Sequence, residues 1–179
     1  DRLFPDRVLV LLSDGILAPD GLDVKEPVYA APARWILPDQ QEDAALSGLT
    51  VVSPTEVLAT HLQEVLKANL SRLLTLRGLR RLLDEFVRLS DPTRSEANRR
   101  LLDELLPEKV PVDLLHAVLR LLLDERVSIR NLPLILEAVA EARPFGSPEA
   151  ICEHVRQRLG FQIISDLKRT DGTVPLIQL

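Results

Sequence analysis

The chain has 179 residues, 46% of them hydrophobic and 27% charged, and a formal net charge of −5, a length that suits one good core or two small ones. The acidic balance argues against a nucleic-acid footprint, which needs a basic surface to displace counterions, and the single cysteine, Cys152, rules out an internal disulfide or a Cys-rich zinc site. No apolar run approaches the ~20 residues that span a bilayer, and a start at Asp1 without Met or signal-peptide architecture is expected of a soluble piece of a longer chain.

Character changes near residue 53. The only Trp and Tyr, Trp35 and Tyr29, lie before it, and a leucine-rich region with interspersed charges lies after it. The apolar run at 7–13, closed by Asp14-Gly15, predicts a buried strand. The stretch 24–36 is interrupted by Pro27 and Pro32. Proline cannot donate to a ladder, so an extended edge strand is expected there. A short helix at 40–46, stopped by Gly48, and a short strand at 49–52 complete this part.

Six helices are expected next. Ser53-Pro54-Thr55-Glu56 reads as a capping box, with Ser53 accepting from the third amide and Glu56 reaching back. The helix it opens runs to about 69, with Leu58, Leu62, Val65 and Leu66 as its apolar face. The next, about 76–89, carries Leu79, Leu82, Leu83 and Phe86 at i, i+3, i+4 and i+7, and Asp91-Pro92 breaks it. Helices at 95–106 and 111–125 repeat the pattern, and Ser128 is a cap for the one bearing Leu132, Ile135, Leu136 and Val139. Ser147-Pro148 opens the last, with Gly160 suited to its C-terminal cap. Strands at 161–166 and 174–179, joined by a turn at 170–172, are expected to close the sequence. The fold class is α+β, mainly α: strands and loops (1–52), a central helical bundle (53–144) and a mixed segment (145–179); the resemblance given below implies that the first is the end of a small mixed α/β subdomain and the last the start of a second α/β subdomain.

Chemistry-bearing patterns are sparse. His61, His116 and His154 have no metal-pair spacing; His61 reads as a core-boundary residue with one hydrogen bond, and His116 as exposed. Cys152 and His154, two apart on a helix, point about 200° apart and form no local thiolate pair. Seven glycines build no phosphate loop. The pairs Asp84-Glu85, Asp103-Glu104 and Asp124-Glu125 read as solvated helix faces. Asp124 and Glu125 sit unfavourably at a helix C-terminus, which hints at a partner: Arg126, Arg130 or another subunit. No catalytic, cofactor or metal residues are assigned, and a hydrolase centred on His61 or Cys152 has no visible motif.

Four segments jointly resemble one family: Glu26-Pro27 with Ala31-Pro32-Ala33-Arg34-Trp35-Ile36; Val51-Val52-Ser53-Pro54 with Val57-Leu58-Ala59-Thr60-His61-Leu62; Val127-Ser128-Ile129-Arg130-Asn131-Leu132 leading to Ile135-Leu136-Glu137-Ala138; and Val155-Arg156-Gln157-Arg158-Leu159-Gly160. Their order and spacing are similar to those of the FHIPEP family, the large export-gate subunit of type III secretion shared by flagella and virulence injectisomes. The resemblance implies a non-enzymatic protein with an N-terminal membrane half. It further implies a cytoplasmic part, at the bacterial inner membrane, that forms a ring, usually a nonamer. That part receives export substrates, chaperone–substrate complexes and gatekeeper proteins. No cofactor, no nucleic acid and no membrane contact beyond the N-terminal half are implied. Ser53 stands where members often carry Asp, and both cap a helix. The Ala-Pro-Ala-Arg-Trp-Ile wording and Arg-rich tone lean towards the virulence branch.

Two sets of candidate residues follow. Mixed-charge helical faces suit ring contacts: Arg77, Arg80 and Arg81; Arg99, Arg100, Asp103 and Glu104; Arg120, Asp124 and Glu125. The extended segment with Pro27, Tyr29, Pro32 and Trp35 is expected to shape an apolar cleft for partners. The alternative is a monomeric helical adaptor with a solubilising charged surface.

Overall fold

The computed structural model describes residues 3–88, 91–168 and 173, and the chain divides into two compact units, Asp1–Ala68 and Asn69–Leu179.

The first unit is a four-stranded antiparallel sheet with two helices. Its strands are β1 (Val8–Leu11), β2 (Leu22–Lys25), β3 (Pro32–Ile36) and β4 (Thr50–Val52), in the order β2-β3-β1-β4. Helix α1 (Gln41–Leu46) precedes β4, and α2 (Pro54–Ala68) follows it. Side chains alternate across a sheet, so β1 serves two cores. Val8 and Val10 meet Ile36, Ala44 and Leu49 on one face. Leu9 meets Ala33, Trp35 and Val57 on the other. Coverage on both faces is why β1 reads as an unbroken apolar run.

The edge strand expected over 24–36 is instead a hairpin, and its second arm, β3, is interior, between β2 and β1. Pro32 is tolerated because it opens the strand, and its carbonyl accepts from Leu12 N at 2.9 Å. The turn is held by the Glu26 carboxylate, which accepts from Val28 N (3.0 Å) and Tyr29 N (2.7 Å). Arg34 Nε donates to Asp23 Oδ1 at 2.6 Å, and its Nη1 donates to the Pro19 carbonyl at 3.0 Å, pinning the loop before β2. This hydrogen bond holds the Asp23 carboxyl below its ordinary range. Gly21 runs so close to β3 that a Cβ would lie 2.3 Å from the Trp35 carbonyl oxygen.

The second unit comprises α3 (Leu70–Leu73), α4 (Leu76–Arg88), α5 (Pro92–Leu105), α6 (Val112–Asp124), α7 (Leu132–Ala142), α8 (Pro148–Arg158) and α9 (Gly160–Leu167). They share one apolar core. Leu79 and Leu83 of α4 meet Leu115, Val118, Leu119 and Leu122 of α6, Ile135, Leu136 and Val139 of α7, and Ile151 and Val155 of α8. The core therefore continues across residue 144, from α7 to α8, and α2, whose one buried residue is Val57, falls in the first unit.

Local expectations are adjusted in several places. Residues 161–166 are helical rather than strand, because Leu159 and Ile163 are spaced one turn apart and both pack on the helical core, with Ile163 N bonded to Leu159 O at 3.0 Å. Gly160 starts this helix and does not cap the previous one. The strand and turn expected at 170–172 and 174–179 lie outside the described residues. Asn131, not Ser128, caps α7, its Oδ1 accepting from Leu134 N at 3.4 Å. Ser147 and Asp91 cap α8 and α5. His116 is half-buried with Nε2 2.6 Å from the Leu74 carbonyl, which ties α6 to the short α3.

Candidate functional site

The apolar face expected on α2 is largely uncovered. Leu58, Leu62, Val65 and Leu66 are 43–53% exposed, whereas Val57 is buried on the sheet. The start of α2 is fixed by the capping box: Glu56 N donates to Ser53 Oγ at 3.2 Å, and Ser53 N and Oγ donate to Glu56 Oε2 at 2.8 and 2.7 Å. These bonds hold the Glu56 carboxyl below its ordinary range. Once α2 is so anchored, Val57 faces the sheet, and Leu58 and His61, three residues apart, share a flank beside it.

A cleft of about 490 Å³ opens along that flank, lined by Leu3, Leu9, Val24, Lys25, Pro27, Trp35, Val57, Leu58 and His61. Leu9, Trp35 and Val57 are buried and form the floor; Val24, Pro27 and Leu58 are walls that keep part of their surface open. Leu22 pairs with Trp35 and Val24 with Ala33, so the β2–β3 register puts Val24 on the same face as the Trp35 indole. Phe4 packs on that indole with ring centroids 5.8 Å apart. A smaller compartment of about 180 Å³ shares Leu9 and Val57 and adds Leu11, Glu26, Tyr29, Ala31, Val52 and Thr60. The combined groove has the size and apolar character of a binding site. Its titratable groups, Lys25, Glu26, Tyr29 and His61, make no nucleophile–base pair among the described residues.

Of the four cleft residues read from the sequence, Pro27 and Trp35 line the main compartment and Tyr29 the smaller one. Pro32 is exposed and lines neither. Trp35 is floor rather than contact surface, since only 3% of it is accessible. Nothing in the sequence pattern marks Leu9, Val24, Lys25, Leu58 and His61 as cleft residues. The period of Leu58 marks an apolar helix face but does not say whether anything covers that face. His61 is exposed, and its side chain makes no hydrogen bond among the described residues.

The charged candidates all lie at the surface of the helical unit. Four are engaged within the chain: Arg100 with Glu96, Glu104 with Lys109 at 2.9 Å, Glu125 with Arg156, and Asp124 as acceptor from the buried Ser71 hydroxyl. The partner hinted at by Asp124 and Glu125 is therefore supplied by α3 and α8, not by Arg126 or Arg130. Arg77, Arg80, Arg81, Arg99, Asp103 and Arg120 make no ion pair among the described residues. Cys152 is buried, and desolvation pushes its thiol up, opposite to the shift that activates a thiolate. Among the described residues, no three His, Cys, Asp or Glu side chains are grouped to hold a metal, and no helix is long and apolar enough to cross a membrane.

The FHIPEP family model matches residues 1–179. The flagellar biosynthesis protein FlhA of Caulobacter vibrioides is 42% identical over 160 residues, which cover 89% of this chain and 22% of that protein. FlhA of Bacillus subtilis is 29% identical over 88% of this chain and 22% of its own length. Among solved structures, the cryo-EM structure of nonameric EPEC SctV-C aligns with 97% of this chain and 50% of that one, with a TM-score of 0.63 and 21% identity. The Chlamydia pneumoniae CdsV and CdsO complex aligns with 96% of this chain and 50% of that one, with a TM-score of 0.71 and 20% identity. The chain thus spans about a fifth of these curated relatives and half of these solved chains, sharing with the latter a mainly α, α+β fold. With the family model matching from end to end, the chain belongs to the FHIPEP family.

Proposed function

We propose that this chain is part of the cytoplasmic portion of a type III secretion export gate, where it docks cargo and assembles with copies of itself. The observation that carries the docking role is the groove between β2, β3 and α2: an apolar floor with half-open walls, set in a rigid sheet and left uncovered. Such a groove suits the apolar side chains of a partner helix or extended segment. In this reading its occupants are chaperone–substrate complexes and gatekeeper proteins, and no bond is made or broken there.

Ring assembly is supported by the nonameric relative and by the surface of the helical unit. Of the charged candidates, Arg77, Arg80, Arg81, Arg99 and Arg120 have no intrachain carboxylate among the described residues, which leaves them free to pair with a neighbouring copy. Arg100, Glu104, Asp124 and Glu125 would have to exchange existing partners, which ranks them below the others as ring contacts. In this account the ring-forming part starts at α3 rather than at residue 53. The remainder of the gate, including the membrane half at the bacterial inner membrane, belongs to the longer protein. The 42% identity with a flagellar biosynthesis protein favours the flagellar branch over the virulence branch that the motif wording suggested.

Ring assembly is tested by the double charge reversal Arg80→Glu/Arg81→Glu in the full-length protein. Electron microscopy and light scattering are expected to show loss of ring particles with unchanged helical content. Rings of undiminished number would remove these residues from the contact. The docking arm is tested by affinity for a chaperone–cargo complex after substitution at Leu58.

A further inference from the structure

Helix α3 is held to the helical unit by polar bonds more than by apolar burial. Its one buried side chain is Ser71, which is also the one buried polar residue among the described residues. Leu70 and Leu73, its two leucines, are 41% and 55% exposed. Only Leu74, at its C-terminal end, packs partly against the core. Two side chains of α6 supply the remaining holds. The Ser71 hydroxyl donates to Asp124 Oδ1, and His116 Nε2 donates to the Leu74 carbonyl at 2.6 Å. Asp124 is itself exposed, so water competes for its oxygens, and all four groups can hydrate when the bonds part. A single helical turn also has no stability of its own once it leaves its support.

The place of α3 in the chain gives such a hold a consequence. Ala68 closes the α/β unit and Leu76 opens α4, so residues 69–75 are the covalent link between the two compact units. Fastened to α6, most of this link is part of the helical unit. Unfastened, it is free chain that can reach roughly 25 Å when extended. From this juxtaposition we infer that α3 is a releasable strap. The Ser71–Asp124 and His116–Leu74 bonds fasten it, and its release lengthens the leash on which the groove-bearing unit is carried. The inference stands apart from what docks in the groove.

Native-state hydrogen exchange of the full-length protein tests the fastening. The Arg72, Leu73 and Leu74 amides are expected to exchange about tenfold or more faster than those of Leu119 and Leu122 in α6, because they open without global unfolding. Ser71→Ala and Asp124→Ala each speed the α3 amides about tenfold further and leave the α6 amides unchanged. The double variant goes no faster than either single, since both remove the same bond. Trypsin cleavage after Arg72 rises in step, and cleavage after Arg80 in α4 does not. Small-angle scattering of the 179-residue chain shows a larger maximum dimension in Ser71→Ala/His116→Phe than in the wild type. Equal acceleration of the α3 and α6 amides would make Ser71 an ordinary core residue and overturn the strap. Additive effects of the two single changes, or α3 amides as slow as those of α6, overturn it too. An unchanged maximum dimension overturns the leash.

Discussion

Leu58→Asn is expected to lower affinity for a chaperone–cargo complex about tenfold or more, with the unfolding free energy changed by only ~0.5 kcal/mol. Leu58 is 52% exposed, so half of its surface is not engaged by its own unit. It forms a wall of the main compartment opposite Val24 and Pro27. Covering that half with an apolar partner is worth on the order of 1–2 kcal/mol at ~25 cal/mol per Å². An amide in its place forfeits this and must itself be desolvated under an apolar occupant. Neutral Asn adds no charge to the cleft, so the lost apolar contact is read alone. Titration calorimetry with paired thermal denaturation separates the two effects. Wild-type affinity in the variant would remove Leu58 from the docking surface.

Trp35→Ala should lose about 3–5 kcal/mol of stability from the α/β unit. The indole is 3% exposed, lies in the core with Leu9, Ala33 and Val57, and carries Phe4 on its face. Its removal leaves a cavity bounded by β1 and α2, two elements held by their own hydrogen bonds and poorly able to collapse. Lost partner binding in this variant would therefore report a lost fold. Tyr29, 77% exposed in the hairpin turn, makes the contrast: Tyr29→Ala is expected to leave stability nearly unchanged. Native-state hydrogen exchange of the β1 and β3 amides measures both. A Trp35→Ala cost below about 1 kcal/mol would contradict the assigned core.

What could be read from the residues divides along physical lines. Helices α4 to α8 were legible because leucines at i, i+3, i+4 and i+7 mark a helical apolar stripe and prolines mark the breaks. The Ser53 capping box was legible because it is purely local. The β2–β3 hairpin was not: Pro27 and Pro32 argue against a ladder, yet one sits in the turn and the other opens a strand, where the missing amide costs little. Residues 161–166 alternate enough to suggest a strand, and the packing of Ile163 one turn beyond Leu159 decided for a helix. The cleft was half legible. Tyr29 and Trp35 were marked as the single Tyr and the single Trp, and Pro27 by its interruption of an extended stretch. Leu58 and His61 were hidden because a helical apolar stripe looks the same whether a neighbour covers it or nothing does. The Glu125 ion pair and the Asp124 hydrogen bond join residues 31 and 53 positions apart, beyond what sequence spacing can show.

Hydrogen–deuterium exchange of the full-length protein, with and without a saturating chaperone–cargo complex, reads whether cargo docks in the groove of the α/β unit. Docking there slows exchange at the Val24 and Lys25 amides of β2 and over residues 57–61 of α2, and the slowing is lost in Leu58→Asn. Unchanged exchange at both segments, with protection only on the helical unit, would contradict it.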